Sequence, residues 1–471
     1  MRQWGNLRSQ PWMVLLGLAF SLAPNPASAQ PVDIPLTWGG DFWTRPRLTG
    51  SWDGLRDELG KKGIVLDVDT LLTPQDVASG GRSTGAQFWG NAEYTLNADT
   101  GKMGLWPGGF LKIAAISGFG SSVLGDSGGI VPVNTAALVP RVGDPATGLI
   151  NATFMQFLNP KLGLLAGKID MLDIGQNGEF TGNYRTQFMN AAFNFPMTSG
   201  LVPLSAFGGG VVALPWDGAQ LSVLALDPKG TVTSNDLGHA FQNGATFFAG
   251  GQVTIKPFDR VGHQGLSAMW STEDRVSLTQ DPSNIARGLL DRRFPRIKDP
   301  GPILGDILGR FFPQLLTPTQ PLNRSTDTWG VFYNFDQYLW HPAGDQKRGI
   351  GTFFQFGVSD GQTNPIKYSY SLGISGKGVV PGRPLDSFGA GWARIEFSDK
   401  FVPFLRQRLN LGLGHEDVFE AYYNASVSQW LNATLDLQVV DPGLNKMLDS
   451  SRQLTSVDTA VVVGVRLYTR F

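Results

Sequence analysis

The 471-residue chain carries 38 basic and 39 acidic side chains, and a formal net charge of −1 offers no broad positive field to a nucleic-acid backbone. It has no cysteine, which removes disulfide staples and lipid attachment at a processed cysteine. Beyond Phe20 no run reaches the roughly 18 consecutive apolar residues that a spanning helix needs, so any membrane insertion must use strands.

Residues 1–29 read as an export signal. Arg2 and Arg8 supply the positive leading segment, Trp12 to Ala23 the apolar core, and Ala27-Ser28-Ala29 a small-residue cleavage site before Gln30. Residues 30–63 form an N-terminal periplasmic segment in this reading. Pro31 to Pro46 is Pro-, Gly- and Trp-rich and expected to be irregular; Ser51 and Asp53 are expected to cap a short helix carrying Leu55, Arg56, Glu58, Leu59 and Lys62, closed by Gly63.

From Ile64 to Phe471 the pattern changes to strand and turn. Phe88, Ala92, Tyr94 and Leu96 share one parity, while Asn91, Glu93, Thr95 and Asn97 share the other. Ala433, Leu435, Leu437 and Val439 oppose Asn432, Thr434, Asp436 and Gln438 in the same way. In the closing strand Val461, Val463, Val465 and Leu467 oppose Gly464, Arg466, Tyr468 and Arg470. A soluble sandwich would alternate likewise. Aromatics near strand ends, as in Trp329 to Tyr338, Tyr422-Tyr423 and Trp430, instead suit girdles at a bilayer interface, and a final strand ending on Phe471 suits a closed barrel. At about 25 to 30 residues per strand plus loop, the chain yields about 16 strands, enough to enclose an aqueous lumen. The expected fold is all-β: a transmembrane antiparallel β-barrel with a short N-terminal helix.

Parity also selects lumen candidates. If Ala393, Ile395 and Phe397 face lipid, then Trp392, Arg394 and Glu396 face water; by the same argument Glu420 and Tyr422 turn inward, as do Lys168 and Asp170. Asp173 to Pro196 is polar, aromatic and Gly-punctuated, as an inward-folded loop would be. Catalysis has little support. Of the four histidines only His415 has flanking carboxylates, Glu416 and Asp417, in an apparent turn, and neither a nucleophile motif nor metal-ligand spacing accompanies it. Gly208-Gly209-Gly210 lacks the Lys-Ser/Thr of a phosphate loop and reads as loop flexibility. No cofactor or metal is expected.

Four blocks in order resemble the carbohydrate-selective porins of the OprB type. They are Leu48-Thr49-Gly50-Ser51-Trp52-Asp53-Gly54-Leu55-Arg56; Gly167-Lys168-Ile169-Asp170 with Glu179-Phe180 and Phe188-Met189-Asn190; Glu420-Ala421-Tyr422-Tyr423-Asn424 with Trp430-Leu431; and Asp436 to Gly443 followed by the closing strand. The resemblance implies a 16-stranded outer-membrane channel for passive diffusion of small sugars such as glucose, with a constriction loop after Asp170. Glu179, Tyr184 and Arg185 would then meet sugar at the narrow point, opposite Trp392, Arg394 and Glu396. Implied partners are small sugars and outer-membrane lipids, with no nucleic acid; monomer and homotrimer both stay open. The alternatives are a general small-solute porin, a barrel enzyme and an adhesin. Residues 281–324, Pro-rich with apolar pairs such as Phe311-Phe312, depart from the family pattern and read as a long insertion loop.

Overall fold

The computed structural model describes residues 34–141, 143, 147–175, 178–234, 237–281, 284, 321–400, 414–443, 446–448 and 454–471. The expected export signal at 1–29 and most of the expected insertion loop at 281–324 lie outside these residues. Sixteen antiparallel strands close into one barrel. They are β1 (Ile64–Gly81), β2 (Gly85–Asp99), β3 (Gly109–Gly120), β4 (Thr147–Asn159), β5 (Leu162–Asp170), β6 (Ser205–Ala213), β7 (Ala219–Leu226) and β8 (Thr246–Ile255). The circuit continues with β9 (Gly262–Ser271), β10 (Thr328–Trp340), β11 (Gly349–Ser359), β12 (Ile366–Lys377), β13 (Ser387–Phe397), β14 (His415–Ser426), β15 (Leu431–Asp441) and β16 (Asp458–Arg470). Each strand pairs with its neighbours in sequence, and β16 pairs with β1, for example Leu71 with Tyr468 and Gln75 with Gly464, so the barrel sheet has no open edge.

Alternation sets the wall. On β16 Val463, Val465 and Leu467 are exposed on the outside, whereas Ala460, Val462, Arg466 and Tyr468 are buried within the barrel. On β2 Phe88 and Tyr94 are exposed outward and Trp89 and Asn91 buried inward. The Gly208-Gly209-Gly210 run is not a loop: it lies inside β6, paired with β5 and β7. A side chain at Gly208 or Gly210 would strike the main chain of Ala225 or Val223, so the glycines permit close strand approach.

Connections are short at the end where β1 begins and β16 finishes, and mostly long at the other. This makes the first the periplasmic end. There Phe42, Trp43 and Trp430 form an aromatic cluster, with ring centroids 5.1 Å apart for Phe42 against each tryptophan. Helix α1 (Leu55–Lys61) starts at Gly54 (φ +92°) and has no side-chain cap, so Ser51 does not serve as expected: its carbonyl, not its hydroxyl, accepts from Gly54 and Arg56 N–H. Trp52 (φ +52°) and Asp53 (φ +54°) are left-handed. Arg56 holds this turn in place. Its guanidinium lies 5.4 Å from the Trp38 ring and 4.8 Å from the Trp52 ring, and donates to Leu66 O (2.8 Å), Asp67 Oδ1 (2.7 Å) and the main-chain oxygen of Phe471 (3.0 Å). One buried cation thereby ties α1 to the seam between β1 and β16. On the same helix Asp57 accepts from Thr37 Oγ1 (2.7 Å) and Trp38 N–H (2.8 Å), which hold its carboxyl below the ordinary carboxylate range.

Inside the barrel, residues 121–141 of one loop and residues 171–175 and 178–204 of another fold inward. Val123, Val131 and Val133 of the first, with Phe180, Phe188 and Phe193 of the second, pack on inner-wall residues including Phe353, Ile395, Phe397 and Val440. Part of the lumen beside β11 and β13–β15 is therefore filled by an apolar core.

Candidate functional site

The loop after β5, described at residues 171–175 and 178–204, is fixed through its main chain by polar side chains on the wall. Glu420 of β14 is fully buried, and its carboxylate accepts from Met189 N–H (2.5 Å) and Asn190 N–H (3.0 Å). Arg466 of β16, 1% exposed, binds the opposite polarity of the same backbone, donating to the carbonyls of Tyr184 (2.7 Å) and Gln187 (2.6 Å). Ser375 Oγ donates to Phe180 O (3.0 Å), and Asp336 accepts from Glu179 N–H (3.1 Å). Four residues before Glu420 on the same strand, Glu416 accepts from Ile130, Val131 and Gly443 N–H (2.8, 2.9 and 3.2 Å), fixing the first inward loop at Ile130 and Val131. A buried carboxyl that receives backbone N–H groups satisfies donors that would otherwise be orphaned, so each glutamate is a local clamp.

With its backbone held, the loop presents charged side chains to the open lumen. Arg185 pairs with Glu93 of β2 (2.5 Å) and stacks 4.8 Å over the Tyr184 ring; Tyr184 itself is buried among Leu71, Trp89 and Tyr468. Asp173 pairs with Lys112 of β3 (2.5 Å). Burial pushes the Asp173 carboxyl up, but the Lys112 ammonium outweighs this and holds it below its ordinary value. Further along the same loop Glu179 accepts from Tyr338 Oη (2.9 Å) and Lys377 Nζ (3.0 Å). Burial again opposes ionisation, and Lys377 and Tyr338 reverse the balance, leaving Glu179 below its ordinary value. Nearby His263 Nδ1 lies 2.7 Å from Asp336. A cavity of about 450 Å³ runs beside the first cluster, where Lys112, Asp170 and Asp173 face Thr153, Gln220 and Ser222.

The structure corrects the reading of β13. Ala393, Ile395 and Phe397 are 1%, 1% and 6% exposed and belong to the lumenal core, and side chains at Gly389 and Gly391 would meet Phe188 and Phe193 of the loop. Trp392, Arg394 and Glu396 therefore face outward. Arg394 makes a two-pronged pair with Asp417 (2.7 Å for both bonds), Tyr370 Oη donates to Glu396 (3.0 Å), and Trp392 meets Tyr370 edge-on. The physical reason is the inward loops: their aromatic rings need an apolar wall, so hydrophobicity no longer marks the lipid side there. His415 is the first residue of β14, 3.5 Å from Asp417 on this outer surface, not part of a turn.

Other expected residues have structural partners. Lys168 is fully buried and donates to the carbonyls of Val232 (3.1 Å) and Ser234 (2.8 Å) in the β7–β8 connection. Asp170 accepts from Leu172 N–H (2.9 Å) and starts the turn Met171–Gly175. Tyr422 packs edge-on against Phe188 at 4.8 Å. Sequence reasoning overlooked Glu93, Lys112 and Lys377 as partners of the loop. For Glu93 the only signal is its place on the polar parity of β2.

Comparison with known proteins places this geometry in a family. A 144-residue stretch is 32% identical to Porin B of Pseudomonas aeruginosa, covering 27% of this chain and 29% of that protein, so the match spans well under half of that relative. The high-pH structure of Pseudomonas putida OprB superposes with a TM-score of 0.71 at 20% identity, over 92% of this chain and 100% of that one; the low-pH structure gives 0.54 at 16% identity, over 91% and 99%. These likenesses are of fold. The profile of the carbohydrate-selective porin, OprB family matches residues 84–471, and the chain belongs to that family of the bacterial outer membrane.

Proposed function

We propose that the protein is a passive channel that admits small sugars to the periplasm, with Arg185, Glu93, Lys112 and Asp173 lining its narrow part together with the Glu179–Lys377 pair. The observation that carries this reading is the anchored loop, whose Asp173, Glu179 and Arg185 pair with Lys112, Lys377 and Glu93 of the barrel strands. A sugar entering a narrow passage gives up water at its hydroxyls, each a donor and an acceptor. Guanidinium and ammonium groups replace the water donors, and carboxylates the acceptors. Because every such group is already paired, the solute exchanges partners and is not trapped, which a conducting path requires. Family membership supports carbohydrate as the solute class.

Liposome swelling tests the reading. Reconstituted protein should give rapid swelling in glucose, slower swelling in larger saccharides, and discrimination between neutral and charged solutes of equal size. Equal rates for a sugar and a non-sugar of the same radius would make it a general porin. A barrel enzyme or adhesin with a closed lumen would give no swelling.

A further inference from the structure

Beneath the loop, on the periplasmic side of β12–β16, lies a second cavity of about 500 Å³, within the roughly 300–1,000 Å³ range of small-molecule sites. Its wall is built for hydroxyl-bearing solutes. Asn183 and Gln187 come from the loop, Asn424 and Asn432 from the strands, and Tyr422 contributes a ring edge. Three cations border it, and they are not equivalent. Lys377 is paired with Glu179, and Arg47 with Asp67 at 2.8 Å. Arg470 has no carboxylate partner among the described residues. It lies 5.5 Å over the Tyr468 ring and donates from one terminal nitrogen to the neutral Asn432 amide at 3.2 Å, while its buried Nε has no hydrogen-bond partner.

We propose that this cavity is a second saccharide subsite on the exit path, and that Arg470 makes it prefer an anionic monosaccharide to a neutral one. The amides and hydroxyls match the ring hydroxyls of either. The negative group of a sugar acid or sugar phosphate would complete the guanidinium, whose planar fork suits a carboxylate or phosphate. The ion pair forms in a wet vestibule and not in a dry interior, so its gain is a few-fold in affinity and does not block passage. This inference rests on the sugar-channel reading for its solute class.

The test is current block in planar bilayers, with glucose, glucuronate or glucose 6-phosphate added to one compartment at a time. Wild-type protein should be blocked from the periplasmic side at roughly threefold lower concentration by at least one of the two anions than by glucose. The two anions separate carboxylate from phosphate as the preferred group. Arg470→Gln should abolish the anion preference and keep the glucose block, and Arg470→Lys should retain part of it. Equal block by glucose and both anions in wild-type protein overturns the proposal, as does an unchanged preference in Arg470→Gln protein of unaltered heat-modifiable mobility. Failure of the sugar reading is visible separately: glucose would then cause neither swelling nor block.

Discussion

Arg185 and Arg394 carry the same charge and share one expected role at the constriction, yet the barrel places them on opposite faces of the wall. Arg185 is held at the lumen by Glu93, where a solute can exchange for the carboxylate. Replacing it with Ala removes a charge-assisted donor, each such bond contributing about 1.5–3 kcal/mol. Single-channel conductance should rise as the passage widens, and glucose half-saturation should weaken by about tenfold. Arg394→Ala, by contrast, empties a site on the outer surface. Conductance and sugar flux should match wild type, and a changed conductance would contradict the outward placement of β13. Asp57 supplies a residue-scale pH dependence at the periplasmic end. Its carboxyl lies below the ordinary value of about 3.9, so its anchoring of Thr37 and Trp38 is complete above that value and is lost as pH falls through the lowered one. Pepsin should therefore cut within residues 34–54 faster as the pH drops below that range, and in Asp57→Asn protein the acid-dependent step should be absent.

At the scale of elements, two strands do more than complete the wall. β14 carries Glu416 and Glu420 on its inner face, one carboxylate for each inward loop, and β16 carries Arg466 for the carbonyl side of the second. Parity made Glu420 visible as an inward residue. What parity could not convey is that a loop of distant sequence covers it, because that contact is 231 positions away. Glu420→Ala would strand the Met189 and Asn190 N–H groups in a dry environment, at a cost of about 1–3 kcal/mol for each orphaned donor. The barrel should still assemble, since its strand ladder does not pass through this carboxylate. The loop should sample displaced positions instead, seen as rapid conductance fluctuations and faster proteolysis between residues 178 and 195. Quiet channels identical to wild type would mean that Arg466 and the aromatic contacts suffice to hold the loop.

For the whole molecule, period-two alternation made the barrel legible wherever lipid lies on one side and water on the other, as on β2, β15 and β16. It failed on β13 because the lumen there is not water. Ala393, Ile395 and Phe397 face Phe188 and Phe193, an interior as apolar as the bilayer outside, so a rule that sorts faces by polarity had no contrast to use. The charged pairs of Lys112, Arg185 and Glu179 sit beside this filling, on the loop that supplies part of it. Removing the filler should expose this design. In a variant with residues 178–195 replaced by a short Gly-Ser linker, the closed strand circuit remains, but the inner faces of Phe353, Ile395, Phe397 and Val418 become wet. Each buried apolar side chain so exposed costs about 1.5–3 kcal/mol, so the variant should unfold in detergent at lower temperature. Its conductance should increase severalfold and its discrimination among saccharides should fall to that of a size filter. Changing Ile395 and Phe397 to Asn in the same variant should restore part of the lost stability, since that wall would then face water. If the double change destabilises the shortened channel as much as it destabilises the complete one, the apolar wall is not there to receive the loop.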